Sequence, residues 1–95
     1  MYFVYIIETE DGQYYTGQTN NLLRRVQEHL SGGRHSAVYL RMHRPKYLVY
    51  IEECETRREA LKREQEIKRD RRLKRSLVGP RRDLLEVIDS ERSYK

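Results

Sequence analysis

Tyr5, Tyr15, Arg25, His29 and Glu64 have the residue types and spacing to do chemistry together. Tyr5 falls in the apolar run Tyr2-Phe3-Val4-Tyr5-Ile6-Ile7, and Tyr15 in Tyr14-Tyr15-Thr16-Gly17-Gln18. Arg25 and His29 are four positions apart, which places them on one face of a helix. Glu64 is bracketed by Ala60, Leu61 and Ile67, at the edge of a buried helix face. Phosphodiester cleavage asks for such a set: a proton acceptor for water, a cation on the phosphate and usually a divalent metal. An arginine clamps the phosphate. A carboxylate holds Mg²⁺, which commonly keeps several of its waters. A tyrosine serves as general base only if its pKa falls well below about 10, which a nearby metal or cation favours.

The elements that would position these groups follow from local pattern. Residues 2–8 are aromatic and β-branched, Glu10-Asp11-Gly12 is a turn signal, and 13–18 reads as the returning strand of a hairpin. Asn20 or Asn21 caps a helix carrying Leu22, Leu23, Val26 and Leu30 at helical spacing, and Gly32-Gly33 stops it. Ser36 to Met42 reads as a short helix with Val38, Tyr39 and Met42 facing inward, ended by Pro45. Tyr47-Leu48-Val49-Tyr50-Ile51 is a buried strand. Thr56-Arg57-Arg58-Glu59 is a capping box opening a helix to about Arg72, which Leu73, Leu77 and Val78 either continue or follow as a separate turn. Gly79-Pro80 is a break. Leu84, Leu85, Val87 and Ile88 make a last short helix before a polar tail from Ser90 to Lys95. The order β-β-α-(α)-β-α-α predicts an α+β fold, a small antiparallel sheet covered by helices. The expected organisation is a domain over 1–80, with 81–95 packed on it or trailing it.

The 95 residues fit a single domain, and 37% of them are hydrophobic against 37% charged. Lys and Arg number 20 against 15 acidic residues, for a net charge of +5, and fifteen of the cations are Arg. Such a balance suits a polyanionic partner, nucleic acid before an anionic membrane surface, or simply a solvated basic surface. Arg24, Arg44, Lys68, Arg69 and Arg72 are candidate backbone contacts, together with the other arginine pairs of the charge-dense helix. Cys54 is alone, so no intramolecular disulfide forms. No apolar run is long enough to span a membrane and the start is not a signal peptide, so the expected location is the cytoplasm.

Each candidate also has a plainer reading. Tyr5 and Tyr15 could be strand aromatics at the rim of a small core. His29 could sit at a helix C-terminus for its dipole. His35 could reach a phosphate or face solvent, and Lys68 at i+4 from Glu64 could be a simple ion pair.

Phe3-Val4-Tyr5 and Tyr15-Thr16-Gly17 resemble the two halves of the GIY-YIG nuclease signature. Arg25 follows Tyr15 by ten residues, as the arginine of that family does, and His29 follows Arg25 by four, where many members carry His or Tyr. Glu64 in Ala60-Leu61-Lys62-Arg63-Glu64-Gln65-Glu66-Ile67-Lys68 resembles its metal-binding glutamate. Arg44-Pro45 and the Ala-Leu-x-x-Glu-x-x-Ile-Lys run are similar to the small standalone (URI-type) members, over roughly residues 2 to 78. The first signature half reads Phe-Val-Tyr, the second has Thr in place of Ile, and the late asparagine of larger members has no counterpart.

The resemblance implies a three-stranded antiparallel sheet flanked by helices and a metal-dependent endonuclease acting on DNA, in repair or processing, with RNA not excluded. It implies Tyr5 as general base, Tyr15 and Arg25 on the scissile phosphate, and His29 assisting in proton transfer or phosphate positioning. Glu64 would ligate one Mg²⁺ or Mn²⁺, and Gly17 would allow close approach of backbone and ligand. A monomer is the simplest state. The rival expectations are a noncatalytic nucleic-acid-binding module of the same fold and a protein-interaction domain using the last helix.

Overall fold

The computed structural model describes residues 1–93. A hairpin opens the chain: β1 (Tyr2–Thr9) and β2 (Tyr14–Thr19) pair antiparallel, with Tyr5 opposite Gly17 and Ile7 opposite Tyr15. The turn needs Gly12, whose φ is 79°. Thr9 closes it, accepting the Gln13 amide at 2.8 Å while donating to Asp11 Oδ1 at 2.6 Å. Helix α1 (Leu22–Ser31) begins at Asn21, which accepts the Arg24 amide at 3.1 Å, and stops at Gly32 in the left-handed conformation. Helix α2 (Val38–Met42) leads to strand β3 (Pro45–Cys54), which pairs antiparallel with β1.

Helix α3 (Arg57–Arg69) starts on the Thr56 hydroxyl, which accepts the Glu59 amide, while Glu59 takes the Glu55 amide. Asp70 ends α3 and caps a separate helix, α4 (Arg71–Leu77), by accepting the Arg72 and Leu73 amides. So Leu73 and Leu77 belong to a new helix.

The sheet has four strands in the order β2-β1-β3-β4, one more than the three expected. The addition is β4 (Arg82–Asp83), which pairs with Tyr47 and Leu48. Two residues are too few to show any alternation. The pairing is instead held from outside, by Arg81, whose guanidinium donates to both oxygens of buried Glu8 at 2.8 and 3.0 Å. Helix α5 (Leu84–Ser93) follows, continuing through part of the segment expected as a polar tail; residues 94 and 95 of that tail lie outside the described residues.

Alternation along β1 divides the core between the two faces of the sheet. Tyr5 and Ile7 point toward Val26 of α1, Leu40 of α2 and Leu84, Val87 and Ile88 of α5. Val4 and Ile6 point toward Ala60 and Ile67 of α3. Helix α2 keeps only part of its expected face: Tyr39 turns inward, but Leu40 is the buried residue, while Val38 and Met42 are 65% and 76% exposed. Five residues give barely one turn, too short for a pattern to fix which side meets the core. Among the described residues no helix is long and apolar enough to cross a membrane.

Candidate active site

Tyr5 comes from the middle of the central strand pair, and its side chain is 1% exposed. One face of α1 delivers His29 to it, and the Tyr5 hydroxyl lies 2.8 Å from His29 Nε2. His29 is also 1% exposed, so it belongs to the core and not to the rim of the helix. The Ala37 amide donates to His29 Nδ1 at 3.4 Å. That leaves the hydrogen of the neutral ring on Nε2, from which it donates to the Tyr5 oxygen. Tyr15 closes the group, its ring centroid 6.3 Å from that of Tyr5 and 5.4 Å edge-on from that of His29. Tyr39 of α2 packs edge-on against Tyr15 at 6.3 Å. Tyr39 does turn inward as the sequence predicts, but its meeting with Tyr15 depends on tertiary packing that no local pattern shows.

Arg25 lies one turn before His29. Its Nη1 donates to Glu28 at 3.0 Å and to the His35 carbonyl, so two partners hold the guanidinium in place. His35 thus enters through its backbone, while its side chain is exposed. Glu64 lies on the same face of α3 as buried Ala60 and Ile67, with its side chain 13% exposed and Oε1 3.6 Å from Lys68 Nζ.

The electrostatics tie these five residues together. Burial, followed by the neighbouring Tyr15, pushes the Tyr5 phenol well above its ordinary value, against the lowering charge of Arg25. Burial likewise raises Tyr15, opposed by Arg25 and reinforced by Glu64. Burial and then the Arg25 charge hold His29 down at about 4, so its ring is neutral at physiological pH. Both phenols are therefore protonated in the protein alone. Each feels one cation, Arg25, and one anion, Glu64.

Among the described residues no three His, Cys, Asp or Glu side chains gather as a metal cage. A lone, part-buried carboxylate does not fit a structural zinc or calcium site. It does fit Mg²⁺ or Mn²⁺ of the kind bound through one carboxylate, waters and a substrate phosphate.

The remaining sequence candidates scatter around this centre. Arg24 is exposed, 3.4 Å from Asn20, and borders a cavity of about 390 Å³ together with Arg25, Glu28 and Arg57. Arg44 is not brought to the cluster; it lies 4.0 Å from Glu10 at the hairpin turn. Arg69 and Arg72 are exposed on either side of the Asp70 cap.

Gly17 makes room for the tyrosines themselves. A Cβ there would sit 2.5 Å from the Tyr5 hydroxyl oxygen and 3.0 Å from Tyr15 Cε2. Neither ring is a free end, since Tyr5 is bonded to His29 and Tyr15 is packed against it. Gly17→Ala is therefore expected to destabilise the fold by about 1–3 kcal/mol through overpacking. Urea unfolding checks this, and a midpoint equal to that of the parent would show that the rings have slack.

The GIY-YIG catalytic domain family matches residues 1–76. The chain is 51% identical over 67 residues to the UPF0213 protein DP2720 of Desulfotalea psychrophila, covering 70% of this chain and 60% of that one. It is 48% identical over 67 residues to a UPF0213 protein of Staphylococcus aureus, covering 70% of this chain and 79% of that one. The solution structure of the UPF0213 protein BH0048 from Bacillus halodurans is similar with a TM-score of 0.51 and 39% identity, over 81% of this chain and 82% of that one. With the Tyr-Tyr-Arg-His-Glu set carried on a sheet flanked by helices, this chain belongs to the GIY-YIG catalytic-domain family, among its small UPF0213 members.

Proposed function

We propose that the chain is a metal-dependent endonuclease that hydrolyses phosphodiester bonds in DNA. The observation that carries this reading is the meeting of Tyr5, Tyr15 and His29, with Arg25 and Glu64 both acting on the two phenols. A binding module has no use for the carboxylate, which repels phosphate.

Arg25 spends donors on Glu28 and the His35 carbonyl and keeps others for a phosphate oxygen. The Tyr15 hydroxyl is a second donor to the same phosphate. Tyr5, as phenolate, takes the proton of the attacking water while the water oxygen bonds to phosphorus; the bond to the leaving sugar oxygen breaks, and that oxygen takes a proton from solvent. The phenolate that does this is stabilised by the His29 Nε2 hydrogen and by Arg25. Glu64 would hold the Mg²⁺ or Mn²⁺, which supplies positive charge where the carboxylate alone supplies negative, polarising water and lowering both phenol pKa values.

The test is cleavage of labelled single-stranded, duplex, nicked, forked and four-way-junction DNA, and of RNA, with Mg²⁺, with Mn²⁺ and with EDTA. Cutting is expected only with a cation. Arg25→Ala is expected to lower it by a factor on the order of 10²–10³, as for loss of one preorganised donor. Cutting that persists in EDTA, or an Arg25→Ala variant as fast as the parent, would refute the mechanism. Binding without cutting under every cation would leave a nucleic-acid-binding module.

A further inference from the structure

Lys68, Arg71, Lys74 and Arg75 line one cavity of about 440 Å³, where α3 and α4 face the turn between β1 and β2. Tyr14 and Ile67 form its wall, and no acidic residue is among those that line it. Four of the ten cations between residues 55 and 75 share this one concavity. Lys74 is half-buried there, and its Nζ reaches the Tyr14 carbonyl at 3.5 Å, long for an ammonium. Burial, and then the charge of Lys68, lower its pKa. An anion in the cavity removes that penalty.

The cavity adjoins the candidate active site. Lys68 lines it while holding Glu64 at 3.6 Å. Tyr14 lines it, and its chain neighbour Tyr15 points to the other face of the sheet. Strand β2 is the outer strand, so a nucleic-acid chain passing over its edge meets the Tyr15 side and then the cavity. We propose that this cavity binds a backbone phosphate of the DNA strand beside the phosphate at the candidate active site, so that the strand crosses the β2 edge between them. The proposal rests on the reading that the chain acts on DNA, but it concerns binding, which is measurable without cutting.

The experiment is fluorescence anisotropy of a labelled single-stranded oligodeoxynucleotide in EDTA, across a series of salt concentrations. It compares the parent with Arg71→Gln/Lys74→Gln and with Lys46→Gln/Arg82→Gln, which removes the same charge elsewhere. The cavity variant is expected to bind roughly tenfold more weakly, with its log–log salt slope reduced by about 0.7 for the lost phosphate contact. The control is expected to stay within about twofold of the parent. Equal losses in the two variants would reduce the effect to net charge and overturn the proposal, as would no loss in the first, or no binding by the parent.

Lysine acetylation of the unsubstituted protein, read by mass spectrometry, gives a measurement independent of variant folding. DNA is expected to protect Lys74 and leave Lys46 reactive, whereas unchanged labelling of Lys74 would overturn the site. If the parent binds in this way but never cuts, the nuclease reading fails and the cavity stands.

Discussion

Glu64→Gln is expected to abolish metal-dependent cutting and, in EDTA, to tighten DNA binding. The two effects have opposite signs because one carboxylate has two consequences. With a cation present, Glu64 is the acidic ligand the site offers, and glutamine of the same size holds Mg²⁺ far less well. Without a cation, the same carboxylate is a negative charge near the phosphate that the half-exposed Lys68, 3.6 Å away, offsets only in part. At an effective dielectric of about 20, two unit charges roughly 5 Å apart repel by about 3 kcal/mol, and screening leaves a few-fold change in affinity. The fold is expected to survive. The Glu64–Lys68 pair is a same-helix contact with the lysine 43% exposed, worth under about 1 kcal/mol. A thermal midpoint within about 5 °C of the parent is the matching expectation. A variant that lost its unfolding transition would make Glu64 a structural residue. One that bound DNA more weakly in EDTA would place the carboxylate away from the phosphate.

What the sequence makes legible is local. The hairpin, the Asn21 cap and the Thr56 capping box each rest on a few adjacent residues whose hydrogen bonds are satisfied on the spot. That Tyr5 and Tyr15 share one face of the hairpin, and Arg25 and His29 one side of α1, follows from strand and helix periods in the same way. What it hides depends on distant partners. His29 reads equally as a helix C-terminal histidine, yet it is buried, because α2 and the C-terminal helix α5 add a second wall around the apolar stripe of α1. Strand β4 depends on Arg81 finding Glu8, seventy-three positions away. The face of α2 depends on which residue meets Tyr15, and here Tyr39 does. The basic run from 57 to 75 reads as one charged surface, whereas the break at Asp70 folds α4 so that Lys68, Arg71, Lys74 and Arg75 share a concavity.

Acid is expected to destabilise the protein well before its carboxylates titrate, and His29 is the cause. Its folded pKa is about 4, against 6.5 for an ordinary histidine, because burial and then Arg25 disfavour its charged form. Above about pH 6.5 the ring is neutral in both folded and unfolded chains and contributes no pH dependence. As pH falls below that value, the unfolded chain takes up a proton that the native chain refuses. Stability declines from there to about pH 4, by up to about 3 kcal/mol over the 2.5-unit shift. Urea unfolding between neutral pH and about pH 5 isolates this loss, and His29→Gln is expected to flatten it. The His29 ring resonance followed by NMR in the folded protein checks the cause directly. Titration of that resonance near its ordinary value would sink the account, and with it the donation of the Nε2 hydrogen to Tyr5. A ring that stays neutral through the working range also leaves the Tyr5 partner unchanged there. An acid limb of cleavage centred near pH 6 would then have to arise from another group.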